Sequence, residues 1–182
     1  MFLINAPRLP GLPRRWPARS NVFSTRKRRF GTSPSLGDYA STLPSLRLGA
    51  HTRMIFQGLT GQLASANAAE SMAWGTKVVG GTKPGYRGTH QLGLPIFPTV
   101  REAVAQLHPD ATGIYVPAAR APAAIEESIE AEVPLIVAVA EHIPLHAMLR
   151  IHSILKTQSA SRLVGANSPG IISARARCRI GL

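Results

Sequence analysis

The sequence predicts an α/β domain: a parallel sheet with helices on both faces. Three observations predict it. Beyond residue 50, short apolar runs alternate with stretches of helical character, the pattern of strand–helix–strand crossovers. One run, Leu135 to Val139, is apolar at every position, as suits a central strand covered on both sides. A glycine-bearing segment, Gln57-Gly58-Leu59-Thr60-Gly61, stands between the first strand and the first helix.

The elements follow in order. Met54 to Gln57 is a short strand ending at Gly58 and Gly61. Leu63 to Trp74 is rich in alanine and free of proline, so it reads as a helix. Lys77 to Gly81 is the second strand, followed by a glycine-rich loop from Gly80 to Gly93. Thr99 is an N-cap with Glu102 three positions on, a capping box, and Val100, Ala103, Val104 and Leu107 form an apolar stripe. Gly113 to Val116 is the third strand. Pro122 to Ala131 is a helix whose Glu126, Glu127 and Glu130 read as a solvated face. After the strand at 135–139, Pro144 opens a helix through about Gln158. Arg162 to Val164 is a fifth strand, and Gly170 to Ile180 adds a last one. Right-handed crossovers between such strands give a Rossmann-like α/β sheet.

Composition bounds the rest. The chain has 182 residues, 45% apolar and 16% charged, enough for one domain plus a tail. Its longest clean apolar run, Leu135 to Ala140, is far short of the roughly twenty residues that span a membrane. A single cysteine, Cys178, excludes a disulfide framework and reads as a buried or incidental thiol. The net charge of +12 is concentrated in residues 1–37, which hold eight bases and no acid; the remainder is close to balanced at +4. That leader is Arg-rich, Ser-containing and interrupted by Pro7, Pro10, Pro13 and Pro17, the composition of a mitochondrial transit peptide, with a processing site near Arg29-Phe30-Gly31. A disordered basic arm for RNA or lipid is the other reading of it. Residues 38–50 read as a linker and 51–182 as the folded domain.

In such sheets ligands bind at the carboxyl ends of the strands. The loops to examine are 58–63, 80–93, 116–122, 140–144 and 165–169. The first opens a helix, so its free amides and the helix dipole suit a pyrophosphate, with Ala64 small enough for tight packing. A tight strand-to-helix turn without ligand is the plainer reading. A nicotinamide dinucleotide would need an acid about twenty positions on. None appears between Glu70 and Glu102, and the second strand runs out into Lys83. A ligand with an extra phosphate fits better: coenzyme A or a 2′-phosphorylated dinucleotide.

The series Gln57-Gly58-Leu59-Thr60-Gly61, Trp74-Gly75-Thr76-Lys77-Val78-Val79-Gly80-Gly81, Leu92-Gly93-Leu94-Pro95-Ile96-Phe97, Glu141-His142-Ile143-Pro144 and Arg162-Leu163-Val164-Gly165-Ala166-Asn167-Ser168-Pro169-Gly170 resembles the alpha subunit of succinate–CoA ligase, mitochondrial type, over about residues 50–182. The resemblance implies a CoA-binding domain. It implies that Gly58, Thr60, Gly61, Gln62 and Leu63 hold CoA phosphates and that Val139, Ala140 and Glu141 also touch CoA. A CoA-binding lysine of the family falls at Tyr86, with Arg87 beside it. Ala64 and His142 replace family glycines, and Ser168 a family cysteine. The family's phosphoryl-carrying histidine lies in a second domain that would follow Leu182. None of the histidines at 51, 90, 108, 142, 146 and 152 matches it.

The resemblance therefore implies a matrix protein that holds CoA, works with a beta subunit carrying the nucleotide site, and turns nothing over alone. No metal, nucleic-acid or membrane role is expected, and His142, His146 and His152 read as exposed helix-surface residues. The alternatives are a non-catalytic sensor of CoA or a dinucleotide, and an NADP-binding reductase fragment with Lys83 or Arg87 on the 2′-phosphate.

Overall fold

The computed structural model describes residues 38–86 and 89–182; the leader read at 1–37 and Arg87 lie outside them. The strands are β1 Arg53–Gln57, β2 Lys77–Thr82, β3 Thr89–Gln91, β4 Leu94–Phe97, β5 Ala111–Ile114, β6 Leu135–Ala138, β7 Arg162–Val164, β8 Gly170–Ser173 and β9 Cys178–Gly181. The helices are α1 Gln62–Trp74, α2 Val100–Leu107, α3 Ala121–Glu130 and α4 Leu145–Leu155. Seven strands make one sheet in the order β3-β4-β2-β1-β5-β6-β7, parallel except for the β3–β4 pair. The expected Rossmann-like sheet with helices on both faces is the fold observed.

Alternation along the strands separates two cores. Met54 and Phe56 on β1, and Leu135 and Val137 on β6, face one side with Ala68 of α1 and Ile180 of β9. Ile55, Ile114, Ile136 and Ala138 face the other, against Val100 and Ala103 of α2, Ile125 of α3 and Ile151 and Leu155 of α4. One face is thus covered by α1 together with the antiparallel β8–β9 hairpin, the other by α2, α3 and α4. Among the described residues no helix is long and apolar enough to cross a membrane.

Four expectations need correction. The segment 80–93 is not all loop: it ends in β3, which pairs antiparallel with β4, a strand the sequence reading passed over. Both are three or four residues long, β4 contains Pro95, and glycines flank them, so no period is readable. The third strand is Ala111–Ile114, two residues earlier than read; Tyr115 and Val116 lie beyond the ladder. The stretch 170–180 is a hairpin, not one strand. Glu127 is no solvated side chain: its Oε1 accepts the Val100 amide at 2.7 Å, satisfying a first-turn donor of α2 alongside the expected Thr99 cap on Glu102. Glu126 pairs with Arg150 at 2.6 Å.

Within the stretch read as linker, Tyr39–Leu46 forms a 3-10 helix against β7. The Arg162 guanidinium lies 3.9 Å from the Tyr39 ring centroid and donates to the Tyr39 carbonyl at 2.7 Å, while the Tyr39 hydroxyl accepts the Leu163 amide. The helix shields an edge strand that would otherwise offer free backbone groups.

Candidate functional site

Strand order reverses between β1 and β5: the chain proceeds from β1 to β2 on one side and from β5 to β6 and β7 on the other. The crevice at such a switch point, outside the carboxyl ends of the strands, is where these sheets take ligands. Here those ends are Gln57-Gly58 and Tyr115-Val116.

Gly58 has φ +83°, and a Cβ there would lie 3.0 Å from the Tyr115 carbonyl oxygen, so both backbone shape and space call for glycine. Its N–H donates to the Thr82 carbonyl at 2.8 Å, and the Gly61 N–H donates back to the Gly58 carbonyl at 2.8 Å. This tight turn delivers the chain into α1 with Gly61 as N-cap, and no side chain caps the helix. The first-turn amides, those of Gln62, Leu63 and Ala64, therefore have no partner inside the helix and point their dipole at the crevice. Gly61, Gln62 and Leu63 are exposed, while Ala64 is buried against the sheet as its small size allows. Ser65 braces the turn by donating to the Leu59 carbonyl at 2.6 Å and accepting from Gln91 Nε2 at 3.2 Å, which ties β3 to the start of α1.

Two clefts meet at Val116. The first, of 180 Å³, lies between the ends of β1 and β2 and the start of α3, and is lined by Gly58, Thr82, Pro84, Pro98, Val116 and Arg120 among others. The second, of 440 Å³, is lined by Leu63, Tyr115, Val116, Val139, Ala140 and Glu141, with Pro117 and Leu182 at its margin. The second cleft brings together two groups of site residues that are distant in sequence, Leu63 and the Val139–Glu141 segment. Tyr115 stacks on Phe56 at 4.9 Å and donates to the Gly181 carbonyl at 2.6 Å. Burial pushes its phenol up to about 12, against smaller opposing effects of that hydrogen bond and Arg179.

Tyr86 lines neither cleft. It closes a Pro84-Gly85 turn, its N–H donating to the Lys83 carbonyl at 3.2 Å, and the Lys83 ammonium sits 3.8 Å from its ring centroid. Gln57 is buried, donating to Thr112 at 3.1 Å and to Ser128 at 2.6 Å, so it braces the floor of the first cleft. His142, His146 and His152 are exposed, and Cys178 is buried with its thiol pushed up by that burial. Sequence reasoning did not single out Tyr115, Arg120 and Leu182; the first two border the 116–122 loop it marked, whereas Leu182 reaches the cleft only through the β8–β9 fold.

Comparison with known proteins agrees with this geometry. A family model described as "CoA binding domain" matches residues 50–142. The chain is 45% identical over 132 residues to succinate–CoA ligase [ADP-forming] subunit alpha 1 of Archaeoglobus fulgidus, covering 72% of this chain and 45% of that protein. It is 36% identical over 138 residues to the corresponding alpha subunit of Staphylococcus aureus, covering 76% and 45%. It thus spans less than half the length of these relatives. Among solved structures, a dinucleotide-forming acetyl-coenzyme A synthetase of Ca. Korarchaeum cryptofilum superposes with TM-score 0.57 at 18% identity, over 72% of this chain and 29% of that one. ATP citrate lyase of Methanosaeta concilii, in complex with (3S)-citryl-CoA, superposes with TM-score 0.52 at 17% identity, over 75% and 24%. At such identities these two share the fold. The uncapped helix at the strand-order reversal is the site that the matched family model names, and the chain belongs to the CoA-binding domain family.

Proposed function

We propose that this chain is the CoA-holding part of a succinate–CoA ligase alpha subunit, and that CoA lies across the β1–α1 turn. One observation carries the proposal: the uncapped first turn of α1 stands between two clefts that diverge at Val116. CoA has that shape, a diphosphate joining two unlike arms. The diphosphate takes the free amides of Gln62, Leu63 and Ala64, a contact worth about 0.3–1 kcal/mol per favourable charge–dipole interaction at an exposed site. The adenosine arm enters the smaller cleft, between Thr82, Pro84 and Arg120. The pantetheine arm runs along the larger, mostly apolar cleft past Leu63, Tyr115, Val139 and Ala140, with its thiol directed outward past Glu141.

In the complete ligase this thiol would meet an activated succinyl group and form succinyl-CoA at the expense of a nucleoside triphosphate. The relatives are alpha subunits, so a beta subunit is the proposed partner, carrying the nucleotide site. This chain's own work is to bind CoA, orient its thiol and keep its diphosphate dry. The arginine-rich, acid-free residues 1–37 support import into the mitochondrial matrix, with 38–50 joining leader to domain.

Calorimetric titration of the full chain with CoA, NAD⁺ and NADP⁺ tests the reading. Saturable CoA binding supports it. Binding of dinucleotides without CoA would transfer the site to the reductase or sensor reading.

A further inference from the structure

From the geometry of the turn after β2 we infer that Lys83 is the residue that recognises the 3′-phosphate of the CoA adenosine, and that Tyr86 positions it. The inference rests on the proposed CoA site. Lys83 follows Thr82, the last residue of β2, and its backbone N–H is fixed to the Phe97 carbonyl of β4 at 2.9 Å. Its two neighbours in the chain, Thr82 and Pro84, both line the smaller cleft. The Pro84-Gly85 pair then makes a tight turn, with Gly85 at φ +79° and the Tyr86 N–H returning to the Lys83 carbonyl at 3.2 Å. The turn folds the tyrosine ring beneath the Lys83 ammonium, 3.8 Å from the centroid.

Among the described residues the ion pairs are Arg150–Glu126 and Arg179–Glu70, so no described carboxylate neutralises Lys83. A long flexible ammonium is thereby parked on a ring face at the mouth of the cleft, charged and ready for a dianion. The ring restricts where the ammonium can go but offers it no hydrogen-bond acceptor, so its three donors stay available. A phosphate on the ribose of an adenosine seated between Thr82 and Pro84 is the anion within reach of this position. The diphosphate is already served by the amides at the other side of the turn. Lys83 therefore reads the one group that separates CoA from dephospho-CoA, while Tyr86 acts through Lys83.

The experiment is titration of the full chain and of Lys83→Met, Tyr86→Ala and Tyr86→Phe with CoA and with dephospho-CoA. The unaltered chain is expected to prefer CoA, and Lys83→Met to weaken CoA by about tenfold, the scale of one charged hydrogen bond, while leaving dephospho-CoA unchanged. Tyr86→Ala should erode the same preference by less, and Tyr86→Phe, which keeps the ring face, should restore it. Equal losses for both ligands, or a preference unaltered by Lys83→Met, would overturn the inference and leave the CoA site standing. Failure of the unaltered chain to bind either ligand would overturn the site and this inference together.

Discussion

The Tyr115 hydroxyl donates to the carbonyl of Gly181 at 2.6 Å, joining the end of β5 to the last residue of β9 beneath the larger cleft. The bond ties the β8–β9 hairpin to the central sheet and sets one wall of the site. Because burial lifts the phenol from its ordinary value near 10 to about 12, the folded protein favours the protonated form. The stabilisation from this group is complete below about pH 10, the unfolded value, and is lost as the pH rises toward 12. Denaturant unfolding followed from pH 8 to 12 should show an alkaline loss of order 2 kcal/mol that Tyr115→Phe abolishes. At pH 8 the same variant should cost about 1 kcal/mol for the missing hydrogen bond, the stack on Phe56 being kept. An alkaline limb equally steep in the variant would show that other groups set it.

Much of this site is legible in the chain. The Gly58–Gly61 turn followed by an alanine-rich helix reads directly, because glycine placement and helix propensity are local signals. The pairing of Lys83 with Tyr86 does not, although Pro84-Gly85 announces a turn there; which side chains that turn stacks depends on its three-dimensional closure. The Glu127 cap on Val100 is illegible for a stronger reason, since the two residues meet only when α2 and α3 pack together. The β3–β4 hairpin is hidden by brevity and by Pro95. Leu182 reaches the cleft through the β8–β9 hairpin, a contact with no local counterpart.

Glycines at the site divide into two kinds, which substitution should separate. A Cβ on Gly81 would lie 2.5 Å from Leu59 Cβ and 2.8 Å from the Phe56 carbonyl oxygen, with no flexible chain end to move aside. Gly81→Ala should therefore cost about 1–3 kcal/mol in overpacking and lower the melting temperature. Gly85 has nothing within 4 Å of a Cβ but holds φ +79°. Gly85→Ala should cost about 1–2 kcal/mol through backbone strain alone. Equal melting temperatures for Gly81→Ala and the unaltered protein would contradict the close packing of β1 on β2.

Tyr39 fastens the 3-10 helix to the β7 edge through its ring, its carbonyl and its hydroxyl. Tyr39→Ala removes the ring and hydroxyl contacts and loosens the third. Hydrogen exchange should then speed up at the Leu163 amide, which loses its acceptor, while amides of β1 and β5 stay protected. The freed edge should also raise the tendency to self-associate, visible in sedimentation. Unchanged exchange at Leu163 would mean that the edge is held by other means.

The leader makes a prediction independent of the ligand. Residues 1–37 carry eight bases and no acid, whereas the folded part is nearly balanced. Fused to a reporter, they should direct it into isolated energised mitochondria, and their removal should stop uptake while leaving the domain's melting temperature unchanged. Uptake that survives the deletion would refute the transit reading. Retention of the leader on RNA or anionic vesicles without uptake would favour a basic arm.

Gly61→Asp tests the phosphate turn itself. Gly61 has φ −73°, which any residue adopts, and a Cβ there meets the Gly58 carbonyl oxygen at 3.2 Å, close enough to need a shift of a few tenths of an ångström. Aspartate is among the best N-cap residues, and its carboxylate would accept from the first-turn amides of α1. The helix should gain up to about 1 kcal/mol from that cap, offsetting the small shift, so the melting temperature should hold or rise. The same carboxylate occupies the donors that the diphosphate needs and repels it with like charge. CoA affinity should fall by more than about tenfold, since the lost amide contacts and the new repulsion together exceed about 1.4 kcal/mol. A fold made no less stable and emptied of ligand is the signature of an anion site built from backbone amides. Undiminished CoA binding in Gly61→Asp would move the diphosphate away from α1.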